Sequence, residues 1–167
     1  MNNIVAVNII RFLALVLLQV LVLRQFYFGP VFGAYFRTLM YPLFLMMLPF
    51  RLSAEVIMLI AFGTGLTVDI AYDTFGLHAS ACVGLAAFRP FILDRLQPKG
   101  GYNINKGLTP EGYGWPWFAQ YTLFCLLIFT FWLSLLEVFQ VWKIGEVIIR
   151  TLFSIPISLF FIFIGVM

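Results

Sequence analysis

The chain has 167 residues, 63% of them hydrophobic and only 10% charged, with a formal net charge of +3 and a mean hydropathy of +1.03. A soluble domain is nearer half apolar and a quarter charged, so this composition excludes a water-soluble globular protein. It fits a lipid bilayer, where the surrounding solvent is as apolar as the side chains.

A membrane span takes about 20 mostly apolar residues, and the hydropathy pattern predicts an all-α, polytopic protein of about six spans forming a single membrane domain over 1–167. The first span, 4–23, is interrupted by Asn8, Arg11 and Gln19. It has no basic stretch ahead of it and no small-residue cleavage site behind it, so it reads as a retained span and not as a signal peptide. The second, 34–50, holds Pro42 and Pro49. Its charge-free part from Thr38 to Phe50 reaches only about 20 Å at 1.5 Å per residue, so it needs the preceding residues and a kink at Pro42 to cross.

The remaining spans are 54–70, 77–93, 117–136 and 147–167, the last carrying Arg150 near its start. Cys82 and Cys125 fall inside spans without a CxxC pattern and read as small apolar fillers. The loop 97–116 is the one extended polar segment, and its glycines and prolines mark turns. Tyr102, Tyr113, Trp115 and Trp117 suit an aromatic belt at headgroup level. The loop lacks the GxxxxGK[ST] pattern of a phosphate cradle.

Orientation follows the distribution of Lys and Arg. With six spans, Arg51, Arg89, Arg95, Lys99 and Lys106 share one side with Arg11, and Arg24, Arg37, Lys143 and Arg150 share the other. This bias places both termini and the 97–116 loop in the cytoplasm. The net positive charge is this asymmetry and implies no nucleic acid partner.

The densest information lies in Gly63–Phe91. Small residues recur at helical spacing, Ala61 with Gly65 and Ser80 with Gly84 and Ala87, which lets helix backbones approach closely in lipid. Spans three and four are therefore expected to form a tight hairpin whose tip carries Asp69, Asp73 and His78. Ionisable groups at membrane depth are costly. Asp69 is expected to act as a structural hydrogen-bond acceptor, Asp73 to lie closer to water, and His78 to anchor a helix start. Gly65-x-x-x-Asp69-x-x-x-Asp73 also matches half of the metal signature of CDP-alcohol phosphotransferases. The upstream Asp-Gly-x-x-Ala-Arg half is replaced here by Glu55-Val-Ile-Met-Leu-Ile-Ala-Phe62, so no catalytic, metal or cofactor residue is assigned. The Pro42–Pro49 span and the Ser80–Ala87 face are expected to open grooves for a partner's span.

Gly65-x-x-x-Asp69, the turn to Gly76-Leu-His-Ala79, the small-residue helix, Arg89-Pro90-Phe91 and the upstream Pro42-Leu-Phe-Leu-Met-Met-Leu-Pro49 together resemble the rod shape-determining MreD family. The resemblance is specific over Pro42–Arg95 and rests on hydropathy elsewhere. It implies a non-enzymatic, cofactor-free subunit of the cell-elongation machinery in the bacterial cytoplasmic membrane, supporting peptidoglycan synthesis and cell shape. Its implied partners are the bitopic MreC, the RodA glycosyltransferase with its penicillin-binding transpeptidase and, indirectly, MreB filaments; a second copy of the chain is a further candidate. The family's fold is thought to be similar to the six-span substrate-binding subunits of energy-coupling-factor transporters. That similarity keeps a vitamin-transporter subunit as the alternative.

Overall fold

The computed structural model describes residues 2–23, 37–103, 107–139 and 141–166. In chain order the helices are α1 (Asn2–Leu21), α2 (Pro42–Met46), α3 (Ala54–Tyr72), α4 (Leu77–Arg95), α5 (Pro110–Tyr113), α6 (Trp115–Val138) and α7 (Ile144–Val166), the last entered through a 3-10 turn at Val141–Lys143. Among the described residues every regular element is helical.

Among the described residues three helices are long and apolar enough to cross a bilayer: α3 with 19 residues, α6 with 24 and α7 with 23. The protein is a membrane protein on this ground as well as by composition. α1 carries a shorter apolar stretch, Ala6–Leu21. α4 is 19 residues long but ends in Arg89, Asp94 and Arg95, which dilute its apolar character.

α3 shows how the bundle is built for lipid. Leu59, Phe62, Leu66 and Ile70 recur along one exposed stripe, while Ala61, Thr64, Gly65, Val68 and Asp69 are buried on the opposite face. The larger side chains face outward and smaller or polar ones face inward, as expected where close backbone packing replaces a hydrophobic driving force. α3 packs on α4, α4 on α6, and α6 on α7, while α1 lies against α2 and α3.

The second predicted span departs from expectation. Residues 34–36 lie outside the described residues, and of the remainder only Pro42–Met46 is helical. Pro42 sits in the first turn, where its missing N–H costs nothing. Pro49 disfavours helical backbone at Leu48, and the helix has stopped before it. Every residue from Thr38 to Leu48 is buried. The segment thus runs through the interior, packed by α1, α3, α4 and α6. It offers no outer groove for a partner's span, which corrects that expectation for Pro42–Pro49. Irregular backbone at membrane depth is tolerated only where protein satisfies its polar groups.

Candidate functional site

At the turn between α3 and α4, Asp73 ends α3 in a left-handed conformation with φ 55°, and its amide reaches the Asp69 carbonyl. Gly76, at φ 78°, begins α4 and has no side chain with which to cap it. Asp69 supplies the cap from the neighbouring helix. Its Oδ1 accepts the His78 amide at 3.0 Å and the Thr74 hydroxyl at 2.5 Å, and its Oδ2 accepts the Ala79 amide at 2.9 Å. These amides are orphan donors of the first turn, and the carboxylate also meets the positive end of the helix dipole.

The close approach depends on Gly65. A Cβ there would lie 2.6 Å from the Ala79 nitrogen and the His78 carbonyl oxygen. The expected tight hairpin is present, and Asp69 is the buried acceptor it was expected to be, at 2% exposure. Asp73 is exposed and does not share a face with Asp69, because α3 stops at Tyr72. His78 is buried, with its Nδ1 2.7 Å from the Tyr41 hydroxyl.

That bond leads to the irregular segment, whose two ends are held by side chains. At one end Gln19 donates to the Thr38 carbonyl at 2.9 Å and accepts the Met40 amide at 2.8 Å. Ser158 of α7 accepts the Leu39 amide at 3.0 Å and donates to the Arg37 carbonyl at 3.1 Å. The other end is held by Arg89 and Tyr121. The Arg89 guanidinium donates to the Leu48 carbonyl and, through Nε, to the Tyr121 hydroxyl at 3.2 Å. Tyr121 in turn donates to the Met46 carbonyl at 3.0 Å. The sequence count treats Arg89 as one of the charges on the cytoplasmic side; the structure buries it at 3% exposure as a donor to backbone.

Below Tyr121 lies an aromatic cluster. Trp117 stacks on Tyr121 at 5.2 Å between ring centroids, Tyr102 packs edgewise on Trp117, and Tyr113 lies tilted against Trp117 at 4.8 Å. Trp117 donates to the Leu96 carbonyl and Tyr102 to the Leu93 carbonyl, each at 2.8 Å. Burial raises the Tyr102 phenol above its ordinary value, so it stays protonated as a donor. At the far end of α6, Glu137 pairs with Arg37 and lies 3.5 Å from Arg150, which also meets Glu146 at 2.5 Å.

Ser80 and Gly84 serve α6 and not a foreign helix. The Trp132 indole donates to Ser80 Oγ at 3.2 Å, and a Cβ on Gly84 would meet the same indole at 3.4 Å. The expected Ser80–Ala87 docking face is therefore largely covered by the protein's own Trp132. Gly84 spaces α4 from α6, whereas Gly65 spaces α3 from α4.

Gln19, Tyr41, Tyr121 and Ser158 are the members of this frame that sequence reasoning missed. Gln19 and Ser158 were detectable as isolated polar residues in apolar runs; the two tyrosines resembled ordinary membrane aromatics. Among the described residues no cluster of three His, Cys, Asp or Glu is placed to hold a metal ion, and the Thr122 hydroxyl is buried without a hydrogen-bond partner. Apart from Thr122, the side chains of this frame are engaged with backbone or with one another, so what the arrangement does is fix helices relative to an irregular core. Compared with models of protein families, with curated proteins and with solved structures, the chain matches none.

Proposed function

We propose that this protein is a non-catalytic, multi-pass subunit of the bacterial cell-elongation machinery, of the MreD kind, that binds an MreC-like bitopic protein and supports peptidoglycan synthesis by a RodA-type glycosyltransferase and its transpeptidase partner. One observation carries the reading. The stretch that resembles the family, Pro42–Arg95, is the same stretch whose Asp69, His78 and Arg89 organise the buried centre. A scaffold needs such a rigid centre, because it must hold its outer helix faces in fixed register for other proteins' spans.

In this reading the chain crosses the cytoplasmic membrane six times, by α1, the interrupted 34–50 segment, α3, α4, α6 and α7, with both termini and the 97–116 loop in the cytoplasm. Since Leu39–Leu48 and Gly84 are buried, the partner's span is assigned to an outer face, of which the Leu59, Phe62, Leu66 and Ile70 stripe is the most regular.

The vitamin-transporter alternative calls for an outward-facing pocket lined by polar and aromatic groups. The fully buried Tyr41, Leu45 and Phe129 fill the middle of the bundle, which weighs against it. Purification from native bacterial membranes separates the two: co-elution of an MreC-like protein is expected, and co-elution of an ATPase-coupled transport subunit would transfer the assignment.

A further inference from the structure

A groove of about 440 Å³ opens between α4 and α6, lined by Phe91, Ile92, Arg95, Leu96 and Phe124. We infer that it binds an anionic phospholipid, one acyl chain lying along Phe91, Ile92, Leu96 and Phe124 and the phosphate meeting Arg95. This goes beyond the elongation reading and does not depend on it.

The lining is apolar apart from Arg95, which is exposed. Phe91 and Phe124 stand 70% and 48% exposed, so the groove is open to the surrounding bilayer. Leu96, which lines it, accepts the Trp117 indole N–H at 2.8 Å through its carbonyl, so the aromatic cluster adjoins the groove. Tryptophan and tyrosine clusters sit at headgroup level, so the Arg95 end lies where lipid phosphates are and the phenylalanines lie where their chains are. Lys99, also exposed, follows one short turn later. Asp94 is exposed too, but an adjacent helical residue points about 100° away around the axis. Arg95 therefore faces the groove and Asp94 does not. A second protein is a poor occupant, since the volume accommodates little more than about one turn of a helix roughly 10 Å across. One cation beside an apolar slot matches one anionic headgroup with its chain.

The test uses the full chain with benzoylphenylalanine in place of Phe124, reconstituted in nanodiscs of equimolar dioleoyl-phosphatidylglycerol and dioleoyl-phosphatidylcholine, irradiated and analysed by mass spectrometry. Phosphatidylglycerol adducts should exceed phosphatidylcholine adducts about fivefold, the preference expected of one cation near an anionic headgroup. Arg95→Gln should bring that ratio to about 1, Arg95→Lys should retain most of it, and Ile92→Trp should fill the slot and remove both adducts. The same crosslinker in place of Ile70, on the exposed α3 face, should show no lipid preference and sets the level of non-selective contact, while the preference retained by Arg95→Lys shows that position 95 can be substituted in the folded protein. Equal adducts from the unsubstituted groove, or a crosslinked dimer instead of a lipid adduct, would overturn the assignment.

Discussion

Asp69 accepts the amide of Ala79 at 2.9 Å and so caps a helix to which it does not belong. The capping position itself is held by Gly76, whose left-handed backbone makes the turn but leaves the first amides of α4 without a side-chain partner. One carboxylate therefore joins two helices and completes the start of the second.

This relationship predicts a graded response at Asp69. Asparagine keeps one acceptor oxygen but turns an NH2 toward donors and loses the charge at the helix start. Asp69→Asn should lower stability by about 1–2 kcal/mol, and Asp69→Leu, which strands two buried amides, by about 3 kcal/mol or more. Asp73→Asn should be nearly silent, because that side chain is exposed and the left-handed backbone suits asparagine. Unfolding followed by circular dichroism in detergent ranks the three variants. An Asp69→Leu protein as stable as wild type would refute the cap.

The two glycines of the α3–α4–α6 core should behave differently from each other. At Gly65 a methyl group would strike the Ala79 backbone, which cannot yield as a side chain can. Gly65→Ala should cost about 1–3 kcal/mol through overpacking. At Gly84 the same methyl would rest at 3.4 Å on the Trp132 ring, an ordinary contact, and alanine is the better helix former by about 1 kcal/mol. Gly84→Ala should be neutral or stabilising, and Gly84→Leu should displace Trp132. Thermal denaturation together with Trp132 fluorescence reads both effects. Equal losses in the two alanine variants would contradict the assigned spacing.

The hairpin was legible in the sequence because small residues at helical spacing and an acid at a span's end follow from local chemistry. Asp69 could be assigned its role as acceptor for the same reason. The interior course of Thr38–Leu48 was not legible, since an apolar run gives the same hydropathy whether it faces lipid or protein. The two ends of that run are held by Gln19, Ser158, Arg89 and Tyr121, which lie 19 to 121 residues from the backbone groups they hold. Spacing rules cannot see such pairings. Arg89 misled for a related reason: an arginine near a span's end looks like a topology signal until a carbonyl is found at its tip.

Arg89 and Tyr121 should act as a coupled pair. Arg89→Met removes the donor to the Leu48 carbonyl and leaves that carbonyl buried, at a cost of about 1–3 kcal/mol. Tyr121→Phe releases the Met46 carbonyl and should cost about 1 kcal/mol. Because Arg89 Nε bonds the same hydroxyl, the double variant should fall short of the summed losses by at least about 0.5 kcal/mol. Strict additivity in a denaturation cycle would mean that the two hold the segment independently.

The pattern of burial also constrains where a partner can be trapped. A photo-crosslinker must reach the surface, and Leu43, Leu45 and Met46 are at most 2% exposed, whereas Leu59 and Ile70 are 71% and 74% exposed. If the protein scaffolds an MreC-like span through the outer face of α3, benzoylphenylalanine at Leu59, Phe62, Leu66 and Ile70 should yield adducts in living cells, and at Gly63 and Thr67, to one side of that stripe, fewer. Sites at Leu43 and Leu45 should yield none or reduce protein level, because the bulky side chain has no space there. Periodicity is the decisive signal: adducts recurring every three to four residues mean a helix lying along α3. Adducts spread evenly around α3 would indicate lipid or random collision, and strong adducts from Leu43 with normal protein level would place the 37–50 segment at the surface and remove the packed centre on which the scaffold reading rests.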